Sequence, residues 1–292
     1  MGIVLGANQY GKAENRLVRI YRETSRHEIR DVTITTALRG DFADAHLVGD
    51  QANVLPTDTQ KNTVYAFAKK HGIGAIEDFA LLLARHFVGS QPTIRHARVE
   101  IEEYLWERDP EVGHSFVRSG RETRTAVVHH GDDGTHVVSG LKDLVVLNST
   151  GSEFRGYIKD EYTTLPETRD RILATAVTAR WRHAPNGAAF TGTDWDKSYE
   201  RARSALLTAF ARTYSLSLQQ TLYAMGARVL GDCPEVCEVR LALPNKHHLL
   251  VDLSPFGLGN DNEVFHADDR PYGLIEGTVL RDDAPDPGPA WS

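Results

Sequence analysis

The stretch Val239-Arg-Leu-Ala-Leu243-Pro-Asn-Lys-His-His248-Leu-Leu-Val-Asp-Leu253 sets the frame for the chain. Val239, Leu241 and Leu243 point one way, and Leu249, Val251 and Leu253 repeat the alternation beyond them. Period-2 alternation on both sides predicts two strands with a short corner between them. Pro244 has no N–H to give a sheet ladder, so it is expected to mark where pairing stops. The corner presents an amide, an ammonium and two imidazoles side by side. It reads either as a polar turn, the usual composition of a loop, or as a catalytic histidine on a rigid strand end.

Working outward, Ser217-Leu-Gln-Gln220 has the capping-box form and opens a helix that Gly231 ends. Asp194 to Tyr214 reads as a long helix with Thr193 as its cap. Val177 to His183 and Leu144 to Leu147 read as strands, joined to each other by a polar connection from Gly151 to Arg171. The first 140 residues carry a similar order. Strand-like runs at Leu17–Tyr21 and Glu28–Thr36 flank Thr24-Ser-Arg26, and Asp41 to Pro56 is polar and irregular. Thr57-Asp-Thr-Gln60 has the capping-box form, with Thr57 as N-cap, ahead of helically spaced Val64, Phe67 and Ala68. A second helix carries Ile76, Phe79, Leu82 and Leu83. A strand at Ala97–Glu102 follows, and Gly131-Asp-Asp-Gly134 between two alternating runs is a hairpin signal.

Each half thus predicts two strands, two helices and two strands. The expected fold is α+β: a duplicated ββααββ unit with an antiparallel sheet and helices on one face. The halves are expected to be 1–140 and 141–292, with a loose acidic and proline-rich tail from about residue 282. A large sheet with two open edges is a liability, and closing several copies into a ring removes it. A homo-oligomer is therefore expected.

Composition excludes several functions. Among 292 residues, 41% are hydrophobic and 25% charged, ordinary values for a globular chain with a sizeable core. The net charge of −7 argues against general affinity for nucleic acid or anionic membrane. No apolar run approaches membrane-spanning length, and the first ten residues do not have the form of a secretory signal. Cys233 and Cys237 have no second pair to complete a zinc site and read as free thiols. The 13 histidines form no metal-binding pattern, and no glycine-rich phosphate loop is present.

Five segments are more specific. They are Tyr10-Gly-Lys12; Thr57-Asp58 with Lys61-Asn-Thr63; the run from Leu144-Val-Val-Leu-Asn148 through Phe154 to Arg171; Leu218-Gln219; and Leu243-Pro-Asn-Lys-His247. In this order and spacing they closely resemble the urate oxidase family, from near residue 10 to past residue 270. The resemblance implies the tunnelling fold, with a barrel closed by the subunits of a homotetramer. It also implies oxidation of urate by dioxygen to 5-hydroxyisourate with release of hydrogen peroxide, without metal or organic cofactor. Other positions depart from the family pattern: Asn148 stands for a usual lysine, Arg155 for a usual aromatic and Leu218 for a common valine.

The residue types suit that chemistry. Urate is planar, polar-edged and anionic. Phe154 resembles the stacking residue, Arg171 the guanidinium that grips the ring edge, and Gln219 the amide at the opposite edge. Asp58 and Leu218 resemble main-chain contacts. By resemblance Lys12, Thr57 and His247 form a proton relay, with Asn245 and Thr57 holding dioxygen and later water above the ring. Lysine is a poor base at its ordinary pKa of about 10.4, and burial beside another cation would lower it. Histidine passes protons near neutrality. The family picture places Thr57 and Asp58 in a neighbouring subunit's site. The C-terminal Pro-Ala-Trp-Ser lacks the Ser-Lys-Leu address of eukaryotic relatives, so a bacterial cytoplasmic enzyme is expected. The alternatives are another purine or pterin enzyme of the same fold, and a purine-binding protein without catalysis.

Overall fold

A computed structural model describes residues 2–120, 122–185, 190–268 and 270–292. In chain order the elements are β1 (Tyr10–Tyr21), β2 (Glu28–Gly40), α1 (Ala43–Leu47), α2 (Thr57–His71), α3 (Ile76–Ser90), β3 (Ile94–Glu103), β4 (Trp106–Arg108), β5 (Phe116–Arg118), β6 (Thr123–Gly131) and β7 (Gly134–Asn148). Then follow β8 (Leu173–His183), α4 (Trp195–Arg212), α5 (Leu218–Asp232), β9 (Val236–Leu250), β10 (Phe265–Asp268) and β11 (Leu274–Leu280). The ladders β1–β2, β2–β3, β3–β6, β9–β10 and β9–β11 are all antiparallel. The chain forms two compact units: residues 1–140, 182–196 and 285–292, and residues 141–181 with 197–284.

In the first unit the strands lie in the order β1-β2-β3-β6-β7. Alternation puts Val32 and Ile34, Val99 and Ile101, and Ala126 and Val128 on one face. That face is buried with Val64 and Ala68 of α2 and Phe79, Leu83 and Phe87 of α3. The intervening Thr33, Thr35, Glu100 and Glu102 lie opposite, lining a polar groove with Arg16 and Tyr104. One face packs and the other takes polar residues, as the pattern predicts. In the second unit Ala202, Leu206 and Phe210 of α4 and Leu222, Met225 and Val229 of α5 bury Val177 and Trp181 of β8 and Val239, Leu241 and Leu243 of β9.

Four expectations are corrected here. No corner interrupts residues 239–250; β9 runs straight through Pro244. At that point β9 changes neighbour, pairing with β11 as far as Leu274↔Pro244 and with β10 from Asp268↔His247. Proline withholds only its own N–H, and the next donor, Asn245 N–H, reaches Gly273 O at 2.8 Å. Gly140 likewise does not divide two strands, since β7 continues through it with β6 and β8 as neighbours. Those neighbours override glycine's weak strand preference. At α2 the N-cap is Pro56, with no side-chain cap, so the Thr57–Gln60 capping box does not form. Gln60 is instead fully buried and accepts from Thr36 Oγ1 at 2.8 Å. At the other end of the chain the expected loose tail closes in a 3₁₀ turn, Gly288–Trp291, whose Ala290 is buried against Val127 and Val138. An apolar side chain with an apolar seat outweighs the tail's polar composition.

Smaller differences concern caps and connections. Residues 43–47 form the short helix α1 within the stretch read as irregular. Since α4 begins at Trp195, Thr193 is not its cap, and the Thr193 hydroxyl donates to Phe190 O instead. At α5 the reading holds, with Ser217 Oγ accepting from Gln220 N at 3.2 Å.

Candidate active site

The expected site residues fall into two groups, one in each unit. In the first unit, the Tyr10-Gly-Lys12 segment is fitted to the start of α2. Tyr10 packs edge-on against Phe42, and its hydroxyl accepts from Leu55 N–H at 2.9 Å. Gly11 lies where a Cβ would come within 1.7 Å of Thr36 O, so only glycine fits. Just beyond it the β1–β2 register slips between Lys12 and Asn15, a bulge that turns the strand at the lysine. Lys12 N–H reaches Thr36 Oγ1 at 3.4 Å, and that hydroxyl donates to Gln60 of α2. Lys12 and the first turn of α2 are thereby held together.

Thr57 and Asp58 occupy that first turn. Among the described residues the half-buried Thr57 hydroxyl makes no hydrogen bond. Asp58 is exposed and takes Lys61 Nζ and Asn62 Nδ2. The hydrogen bond and charge of Lys61 hold its carboxyl below the usual carboxylate range, helped by Asn62 and by the charge of Lys12.

In the second unit, Phe154 and Arg171 are 17 positions apart yet adjacent in space. Phe154 and Thr168 exchange both backbone hydrogen bonds, at 2.9 and 3.0 Å, and Arg171 N–H donates to Ser152 O at 3.0 Å. These bonds close residues 155–167 into a loop whose two ends carry the aromatic ring and the guanidinium. The Arg171 Cζ lies 5.2 Å from the Phe154 ring centre, and Arg171 Nε donates to Ser152 Oγ at 3.1 Å. Burial pushes the Arg171 guanidinium below its ordinary pKa, without an offsetting carboxylate. One face of Phe154 is backed by Tyr157, stacked at 4.9 Å and tilted by 16°, whose hydroxyl donates to Leu165 O.

A cavity of about 360 Å³ opens here, lined by Phe154, Thr168, Arg171, Asn245, His247 and Phe265 among others. Arg171 and Phe154 from one loop thus share a wall with Asn245 and His247 of β9. Neither Leu218 nor Gln219 lines this cavity. Leu218 is buried in the core, leaving its main chain on the first turn of α5, and Gln219 is exposed beside it. Lys246 and His248 do line it, and His248 Nδ1 lies 3.1 Å from Lys246 O.

The departures from the family pattern have local partners. Asn148 donates to Phe210 O near the end of α4, and Arg155 pairs with Glu153 at the surface. Sequence reasoning missed Ser152 and Tyr157. Both lie inside the quoted signature, where a serine and a tyrosine carry no spacing signal of their own. Among the described residues no group of three or more histidine, cysteine, aspartate or glutamate side chains is arranged to hold a metal ion.

A family model described as Uricase matches residues 8–129 and 137–276, nearly the whole chain. The chain belongs to the uricase family. Uricases oxidise urate, and this chain is an oxidoreductase of that class. It is 51% identical over 290 residues to the uricase of Arthrobacter globiformis, covering 99% of this chain and 94% of that one. It is 36% identical over 281 residues to the uricase of Dictyostelium discoideum, covering 94% and 96%. The crystal structure of the Arthrobacter globiformis uricase superposes with a TM-score of 0.95 at 50% identity, covering 100% of this chain and 99% of that one. A uricase structure from Bacillus fastidious, 23% identical with a TM-score of 0.80 over 94% of both chains, shares the fold. The α+β tunnelling-fold architecture, with an antiparallel sheet and packed helices, is the one these structures have.

Proposed function

We propose that the chain oxidises urate without a cofactor, by the balanced reaction urate + O₂ + H₂O → 5-hydroxyisourate + H₂O₂. The observation that carries this reading is Arg171: a half-buried cation with no carboxylate partner among the described residues, 5.2 Å from the centre of the Phe154 ring and on the wall of the same cavity. Such a site suits a flat anion. Urate stacks on Phe154 while the terminal nitrogens of Arg171 grip one edge in bidentate fashion. Gln219 takes the opposite edge, and the main chains of Leu218 and Asp58 complete the polar rim. A rim of this kind rejects analogues that leave its groups unpaired.

The proton leaves urate through Lys12, the Thr57 hydroxyl and His247. Asn245 and Thr57 hold dioxygen, and afterwards water, above the ring. The urate dianion is electron-rich and passes electrons to dioxygen directly.

The relay residues are divided between the units, with Lys12, Thr57 and Asp58 held together in one of them. We take the active protein to be a homotetramer in which these three residues complete the site of a neighbouring subunit. Because Lys12 is tied to the same helix turn, it travels with Thr57. A bacterial cytoplasmic setting suits the reduced, buried Cys233 and Cys237.

Simultaneous recording of urate absorbance, dioxygen uptake and peroxide tests the reaction, using protein dialysed against a strong chelator. One peroxide and one dioxygen per urate are expected. Urate loss under argon, or activity that the chelator abolishes, would overturn the reading.

A further inference from the structure

Ser152 is 1% exposed, and both its side chain and its backbone serve other residues. Its hydroxyl accepts from Arg171 Nε at 3.1 Å and its carbonyl from Arg171 N–H at 3.0 Å. A guanidinium carries five N–H donors in one plane. With Nε–H occupied, that plane cannot turn about the side-chain axis. Among the described residues the two terminal nitrogens have no hydrogen-bond partner, so both stay available to a ligand.

The residues flanking Ser152 fix a second element. Gly151 O accepts from Ser215 N–H at 2.9 Å, and Glu153 N–H donates to Ser215 O at 2.8 Å. Ser152 and Ser215 form a parallel bridge. Ser215 is fully buried and accepts from Thr221 Oγ1 at 2.8 Å, while its own hydroxyl donates to Ser217 O. Ser217 caps the helix that begins at Leu218 and Gln219. One short buried segment therefore sets the guanidinium and the first turn of α5 in a fixed relation.

Resting on the reading of Arg171 as the urate grip, we propose that Ser152 is a positioning residue. By occupying Nε it presents the two terminal nitrogens of Arg171 end-on to the ring edge of the substrate. A positioning role and a merely structural one predict different kinetics. Loss of the Nε partner frees the guanidinium to rotate and weakens binding of any flat dioxopurine, reactive or not. Loss of packing alone would lower thermal stability and the active fraction.

The test is Ser152→Ala, which removes one oxygen and leaves the backbone bonds intact. KM for urate and the inhibition constant for xanthine are expected to rise together by about tenfold, as for the loss of one hydrogen bond to a charged group. kcat should stay within about twofold and the melting temperature within a few degrees. In an Arg171→Met background the same substitution should add nothing, because the group it positions is gone. An unchanged KM in Ser152→Ala, a fall in kcat with KM kept, or an equal penalty in the Arg171→Met background would each overturn the proposal. If Arg171→Met raises KM while Ser152→Ala does not, only the role of Ser152 falls. If Arg171→Met leaves KM unchanged, the grip itself falls and the role of Ser152 with it.

Discussion

The guanidinium carbon of Arg171 lies 5.2 Å from the centre of the Phe154 ring. A cation this close to an aromatic face favours the ring's negative quadrupole, yet most of its charge is left for a ligand. The expected consequence is a site that binds flat anions edge-on. Arg171→Lys keeps the charge and loses the fork. KM for urate should rise roughly ten- to a hundredfold, the scale of one or two hydrogen bonds to a charged group. Phe154→Ala should raise KM and the inhibition constant of xanthine alike. Steady-state kinetics with xanthine as competitor checks both.

Gly11 determines where Lys12 stands. A Cβ at residue 11 would sit 1.7 Å from Thr36 O, so Gly11→Ala must push β1 away from β2 at the position next to the lysine. Turnover should fall by more than tenfold if the relay depends on Lys12, an order-of-magnitude expectation for displaced general acid–base groups. Lys12→Met should cut turnover as sharply while leaving xanthine binding largely intact. Turnover and xanthine affinity measured on both variants check the pair.

His96 and His129 meet in the first unit with Nε2 and Nδ1 3.3 Å apart. Burial, then the charges of His96, Arg98, Arg39 and His136, lower His129 to about 3, and burial lowers His96 too. Both groups take up protons more readily when unfolded, near the ordinary value of about 6.5, than when folded. The contribution of His129 to stability is therefore complete above pH 6.5 and is lost as the pH falls from there toward 3, and that of His96 is lost in the same direction. For each histidine the slope is at most about 1.4 kcal/mol per pH unit. The melting temperature should drop between pH 7 and pH 5, and His129→Gln should make that drop shallower. A melting temperature that rises on acidification would contradict the sign.

Much of this was legible in the sequence because the physics is local. Alternation at Val32–Ile34 and Val99–Ile101 gives the buried face directly, and Gly131-Asp-Asp-Gly134 gives the β6–β7 hairpin. The larger misreadings had partners distant in sequence. Pro244 reads as a stop until β11 and β10 supply successive neighbours along one edge of β9. Gln60 reads as a capping residue until Thr36, on β2, donates its hydroxyl to the amide oxygen. At the site, the resemblance to the urate oxidase family pointed to Phe154, Arg171, Asn245 and His247, which the structure brings to one cavity. Gln219 was named for its chemistry, yet it does not line that cavity. Ser152 and Tyr157 stayed unseen because a positioning side chain has no signature apart from the group it holds.

Residues 12, 57 and 58 stand in one unit, and residues 154, 171, 245 and 247 in the other. In the proposed homotetramer they meet across a subunit boundary, with the first set of one copy completing the second set of its neighbour. Complementation tests this most directly. Thr57→Ala and Arg171→Met chains, each expected to turn urate over slowly at a concentration below the KM of the unaltered protein, are co-expressed with different tags and the doubly tagged assembly is isolated. Urate turnover well above that of either single variant is predicted, because some sites then draw an intact Thr57 and an intact Arg171 from different chains. A mixed assembly no more active than its parents, or a stable monomer with full activity, would contradict the shared site.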